Sequence, residues 1–191
     1  VTLHVGSTGT QVQQLKTKLR RMRYAVDSGR TFTEQTHHAV MAFQKINGIE
    51  RDGIVGARTL RALRTAVPPK VGRGAPSRVV IDLSDQVLLV VRGGRVVKIV
   101  NACTGNAKLA DGRGQATPIG TFRVQRKIRG ERHAELGTLY SPSYFHGGIA
   151  VHGAPSVLAN PASHGCVRIP MHLAGTMFDT MRMGMVVQVR A

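Results

Sequence analysis

The chain has 191 residues, 42% of them hydrophobic, with 22 Gly and 8 Pro; this suffices for a buried core in one large or two small domains. Its apolar runs are too short for a membrane-spanning helix. Lys and Arg number 27 against 10 Asp and Glu, a formal +17 carried by both halves of the chain, which points to an anionic partner without choosing among nucleic acid, acidic lipid and cell-wall polymer. Aromatic residues make up only 4%, with no Trp, so stacking platforms for single-stranded nucleic acid are poorly supplied. No basic-then-apolar leader is present, so any signal peptide is expected to be absent or already removed.

In chain order, Val12, Leu15, Leu19 and Met22 fall at helical spacing, with Lys16, Lys18, Arg20 and Arg21 assigned to the other faces. A second helix over roughly 34–47 groups Ala39, Val40, Phe43 and Ile46 and stops at Gly48. A third, roughly 56–66, turns Leu60 and Leu63 inward. Phe32-Thr33-Glu34-Gln35-Thr36 and Val55-Gly56-Ala57-Arg58-Thr59 form a weak duplication, each following an Asp/Gly turn. Residues 68–77, rich in Pro and Gly and without periodicity, read as a linker between a unit at 1–67 and another at 78–191. Beyond it the β-branched runs 79–83, 87–91 and 96–100 predict strands, with Gly93-Gly94 as a hairpin turn. Further strands are expected near 120–125, 149–151 and 185–189. A helix over 171–182 would set Ala174, Met177, Phe178 and Met181 on one core-facing stripe. The fold class is therefore two domains: a small three-helix bundle, then a mostly-β, sandwich-like domain with one helix near 171–182.

Chemistry concentrates in His152-Gly153 and, ten residues later, Ser163-His164-Gly165-Cys166-Val167-Arg168. A nucleophilic thiol needs a base, oxyanion donors and a group fixing the base's tautomer. His152 closes an apolar strand, Gly165 admits close backbone approach, and Arg168 can lower the thiol pKa or bind a substrate carboxylate. A core cysteine and a satisfied histidine would look the same at this level, and zinc is disfavoured because one local thiol and two imidazoles do not complete a tetrahedral set.

The stretch His152-Gly153…Ser163-His164-Gly165-Cys166-Val167-Arg168 resembles the signature of the YkuD-type L,D-transpeptidase catalytic domain. Matches extend over most of 78–191: Val80-Ile81-Asp82-Leu83-Ser84-Asp85-Gln86, Thr104-Gly105, Thr117-Pro118-Ile119-Gly120-Thr121-Phe122 and Gly147-Gly148-Ile149-Ala150-Val151-His152-Gly153. Residues 5–65 resemble a three-helix peptidoglycan-binding domain through Gly6, Gly9, Val12, Leu15, Leu19, Val40, Phe43-Gln44, Asp52-Gly53, Gly56 and Thr59.

The resemblance implies that Cys166 is acylated, that His152 is its base with the Gly153 carbonyl orienting it, and that His164 assists at the oxyanion. It further implies that the Gly165 and Cys166 amides form the oxyanion hole and that Ser163 and Arg168 shape and charge the pocket. Tyr140, Tyr144 and His146 are expected as a cover. The implied reaction is cross-linking of peptidoglycan stem peptides: Cys166 takes the acyl group from a tetrapeptide with loss of D-Ala and passes it to a neighbouring stem amine, whereas water as acceptor would make a carboxypeptidase. Carbapenem-type β-lactams are implied inhibitors, no metal or organic cofactor is required, and the location is extracytoplasmic, in the wall or secreted. Cys103 reads as a free thiol in a strand near the site, since a Cys103–Cys166 disulfide would silence the nucleophile. The short 152–163 gap leaves room for only a small lid. Three rivals fare less well. A papain-like peptidase places Cys before His in the chain, a non-catalytic wall-binding protein would carry a damaged motif, and a DNA-binding module lacks a basic recognition helix, Arg58, Arg61 and Arg64 serving equally as a solvated face.

Overall fold

The structure, a computed structural model, describes residues 2–191. Three helices come first: α1 (Thr10–Arg21), α2 (Glu34–Ile46) and α3 (Ala57–Thr65). The apolar stripes of the first two are buried, with Ile46 half covered at the end of α2. Thr33 and Thr36 close a reciprocal capping box at the start of α2. In α3 the buried positions are Thr59 and Leu63, one helical turn apart, so Leu60 falls outside the stripe and is exposed, contrary to expectation.

Lys16 also departs from its sequence reading. It is buried, and its ammonium bonds Asp27 at 2.8 Å. Asp27 additionally accepts from the Thr33 and Thr36 hydroxyls at 3.0 Å each. Burial pushes the Asp27 carboxyl up, but the bonds from Lys16, Thr33 and Thr36 outweigh it and hold it below the ordinary range. Its contribution is therefore present above the unfolded carboxylate pKa and lost as pH falls through the folded one. Asp27→Ala strands three donors, and a loss of about 2 kcal/mol is expected, read as a lower urea midpoint at unchanged m-value. The second Asp turn works in parallel: Asp52 accepts from Gln44, whose amide also reaches Thr59.

The remainder forms two five-stranded sheets. The first runs β3 (Arg95–Asn101), β2 (Val87–Arg92), β1 (Arg78–Asp82), β10 (Val186–Arg190), β4 (Gly120–Arg123), with β1 and β10 parallel. The second runs β5 (Arg126–Lys127), β7 (Gly137–His146), β8 (Ile149–Ala154), β9 (Val167–Pro170), with β6 (Glu131–Ala134) also paired to β7. Val79, Ile81, Leu88, Val90 and Val100 of the first sheet meet Phe145, Val151, Val167 and Ile169 of the second in one core. A 3-10 turn (Met171–Leu173) leads into α4 (Ala174–Thr180), which covers β7 and β8. Ala174, Met177 and Met181 are buried there, whereas Phe178 is only half-buried and receives Lys127 and Arg129 on its ring.

The helices dock on the outer face of the first sheet. Val80, Val87, Leu89, Val91 and Ile99 join the helical core, which is why β1 and β2 read as continuous apolar runs. Residues 23–25 add backbone bonds to the β3 edge, Ile99 donating to Arg23 O and accepting from Ala25 N at 2.8 Å each. Each aliphatic is worth about 1.5–3 kcal/mol on full burial, while freeing a ten-residue connection regains roughly 2 kcal/mol of closure entropy. The docked arrangement wins. Residues 68–77 hold no helix or strand, and the buried Arg78 guanidinium binds the Gly72 and Ala75 carbonyls within them.

Candidate active site

β8 and β9 run parallel with His152 opposite Arg168, and strand alternation sets the rest. Ala150 and His152 face one side; Val151 and Gly153 face the other. Cys166, just before β9, lies on the His152 side, where the Ala150 amide donates to its sulfur at 3.4 Å and its thiol donates to Gly148 O at 3.7 Å. A cavity of about 670 Å³ opens on this face, lined by His152, Ser163, His164, Cys166 and Arg168 together with Tyr144 and His146.

The His152 ring is buried, and its Nδ1 lies 2.9 Å from Gly153 O. A carbonyl can only accept, so Nδ1 carries the proton and Nε2 is left bare. Burial, with the Arg168 charge adding to it, lowers His152 to about 4 despite the opposing bond to Gly153. Burial also raises the Cys166 thiol, against the pull of the Ala150 amide and of Arg168. At neutral pH both groups rest uncharged. The Arg168 guanidinium has neither a hydrogen bond nor an ion pair among the described residues.

The turn holding Cys166 is tied internally. Ser163 Oγ donates to Cys166 O and accepts from the Gly165 amide at 3.2 Å. Gly165 has φ +124°, a conformation side chains resist. Of the two amides expected as oxyanion donors, the Gly165 N–H is bonded to Ser163 Oγ, whereas the Cys166 N–H has no partner among the described residues. Cys103 pairs its backbone with Arg168 and donates its thiol to Asn160 O at 3.3 Å; both cysteines are free.

The expected cover is only partly in position. Tyr144 and His146 line the cavity, Tyr144 as a buried wall beneath Arg126. Tyr140 does not line it. Irregular pairing between Tyr140 and Ser143 changes which side the strand presents, so Tyr140 sits opposite Gly153 on the face covered by α4, with Glu131 as its cross-strand partner on β6. The far wall is instead the β6–β7 hairpin, residues 134–139, which the sequence reading left unassigned although Gly137 and the aromatic run 140–146 bracket it. Asp111 was also unforeseen. Its carboxylate accepts from His164 Nε2 at 2.6 Å, a bond that together with the Arg113 amide keeps Asp111 below the usual carboxylate range. With Nε2 committed to Asp111, that nitrogen of His164 is not available as a base.

Residues 76–189 match the family model of the YkuD L,D-transpeptidase catalytic domain, and residues 8–63 that of a peptidoglycan binding domain. A crystal structure of the L,D-transpeptidase from Xylanimonas cellulosilytica is 38% identical with TM-score 0.90, covering 98% of this chain and 97% of that one. The L,D-transpeptidase from Stackebrandtia nassauensis shares the fold at 24% identity and TM-score 0.59, over 99% of this chain and 95% of that one. The LD transpeptidase LdtMt1, solved in complex with imipenem, matches 61% of this chain and 60% of its own at 24% identity and TM-score 0.52. No match was found among curated proteins.

Proposed function

The chain belongs to the YkuD family of L,D-transpeptidases, and from that premise we propose that it cross-links peptidoglycan through an acyl-enzyme on Cys166. The sulfur attacks the carbonyl of the amide joining the third stem residue to the terminal D-Ala. The S–C bond forms, the C–N bond breaks, and the thiol proton passes through His152 Nε2 to the departing D-Ala amine. An amine of a neighbouring stem then attacks the thioester, gives its proton to His152, and leaves a new amide and a free thiol. The observation carrying this reading is the shared cavity: a neutral thiol and an imidazole whose bare nitrogen is fixed by Gly153 O.

Other features fit the same chemistry. The Cys166 amide would serve the oxyanion, His164 lines the same cavity, and unpaired Arg168 suits a substrate carboxylate. The residues resembling a peptidoglycan-binding module would hold wall polymer, and the +17 charge would add broad, salt-sensitive attraction to anionic wall polymers. An extracytoplasmic location follows from that substrate. Carbapenems such as imipenem, bound by LdtMt1, would acylate the same thiol.

Intact-protein mass spectrometry tests this. A tetrapeptide stem should add its own mass less D-Ala, and imipenem its whole mass, each on the peptide containing Cys166. If neither compound acylates the reduced protein, the reading fails.

A further inference from the structure

Between His152 and Cys166 the chain passes through three consecutive carbonyls, at 158, 159 and 160, each bound by a side chain from elsewhere. Cys103 takes Asn160 O. The other two are taken from the helical unit: Lys45 Nζ, at the end of α2, reaches Leu158 O at 3.2 Å, and Arg51 Nη1 reaches Ala159 O at 3.3 Å. We propose that Lys45 and Arg51 are positioning residues for the cysteine site, so that docking of the helices holds the segment that delivers Cys166.

The Lys45 environment supports this. Its side chain is 1% exposed and, among the described residues, meets no carboxylate but only oxygens of the β unit: Gln86 O, Asn101 Oδ1, Ala102 O and Leu158 O at 2.7–3.2 Å. Burial lowers its pKa to about 7, with Arg51 lowering it and Cys103 raising it. An aliphatic side chain of similar volume would be easier to bury than this polar head, charged or neutral. What the Lys45 nitrogen supplies is direction, since hydrogen bonds to carbonyls fix backbone more firmly than apolar contact, most strongly when the amine is protonated. Arg51 extends the clamp by joining Ser84 O to Ala159 O. Downstream, Thr104 O accepts from the Ala162 and Ser163 amides, and Ser163 closes the Cys166 turn, so the restraint is continuous from α2 to the thiol.

The inference rests on Cys166 being the nucleophile, and full-length Arg51→Gln and Lys45→Met variants test it. Arg51 is only half-buried, which keeps the test open if Lys45→Met fails to fold. Arg51→Gln should slow Cys166 acylation by imipenem about tenfold, and Lys45→Met by up to about 10²-fold, with half-saturating imipenem changed less than about twofold. Arg51→Lys, which retains charge and a donor, should recover much of the rate. Hydrogen exchange should quicken at amides 156–166 and stay unchanged in β1 and β2. Wild-type acylation rates, unaltered exchange at 156–166, or equal loss of protection in β1 and β2 would each overturn the proposal. If the unsubstituted protein takes no acyl group, the nucleophile assignment falls, while exchange at 156–166 still decides whether the two cations hold that segment.

Discussion

His152→Gln should cut the rate of Cys166 acylation by about 10³-fold near neutral pH, within the range expected for loss of a positioned general base. Cys166→Ala should abolish the adduct outright. The pH dependence makes the first result diagnostic. In the parent chain His152 is depressed to about 4 and the thiol is raised, so the base stays neutral through the physiological range. No acid limb from His152 is expected until pH approaches about 4. In His152→Gln the thiol must ionise unaided, so log rate should climb with unit slope and the gap should narrow as pH approaches the raised thiol pKa. A variant within tenfold of the parent across that range would remove His152 from the chemistry. Stability has its own sign: because the folded pKa lies below the ordinary histidine value, the unfolded chain binds more protons between about 6.5 and 4, and stability falls as pH drops through that window.

Much of this arrangement is legible in local spacing. The helical stripe Val12, Leu15, Leu19, Met22 and the β-branched runs from Val79 to Val100 announce their elements because burial follows the period of the backbone. His152 and Cys166 could be nominated because the residues around them lie close in sequence. Side chains whose surroundings come from distant segments could not be read this way. Lys16 and Lys45 look like solvated cations, and only Asp27, or the carbonyls at 86, 102 and 158, reveal why they are buried. Asp111 stands 53 residues from His164, in a loop between β3 and β4 that carries no periodic signal. Tyr140 illustrates a different limit. One irregularity in strand pairing reverses the side it faces, and alternation counted through 140–144 gives the wrong answer.

Gly105 is where three segments meet, and Gly105→Ala should be among the most damaging small substitutions in the chain. A Cβ there would lie 2.2 Å from Gln115 O, 2.6 Å from Gly165 Cα and 2.8 Å from Thr117 N. All three are backbone atoms, so no side chain can swing aside. The contacts around it are also committed: the Gly105 amide donates to Thr117 Oγ1 at 2.9 Å, and that hydroxyl donates to Gly165 O at 2.7 Å. Relief by movement would therefore displace the 115–117 segment or the Cys166 turn. Overpacking of this kind costs about 3 kcal/mol, equivalent to a fall in Tm of roughly 6–12 °C for a chain this size. Displacing Gly165 would also shift the adjacent Cys166 amide and sulfur, so acylation should slow by about 10²-fold even where the variant is fully folded. Gly112→Ala is the matched control. Gly112 also precedes the Thr117 segment, but a Cβ there meets nothing within 4 Å; its strain is confined to its own φ of +69° and should leave the acylation rate near that of the parent. Equal rates for the two variants would show that the 104–106, 115–117 and 163–166 segments can separate without disturbing the thiol. A selective loss in Gly105→Ala would mean that Thr104-Gly105 and Thr117 support the nucleophile from behind, although none of the three lines the cavity.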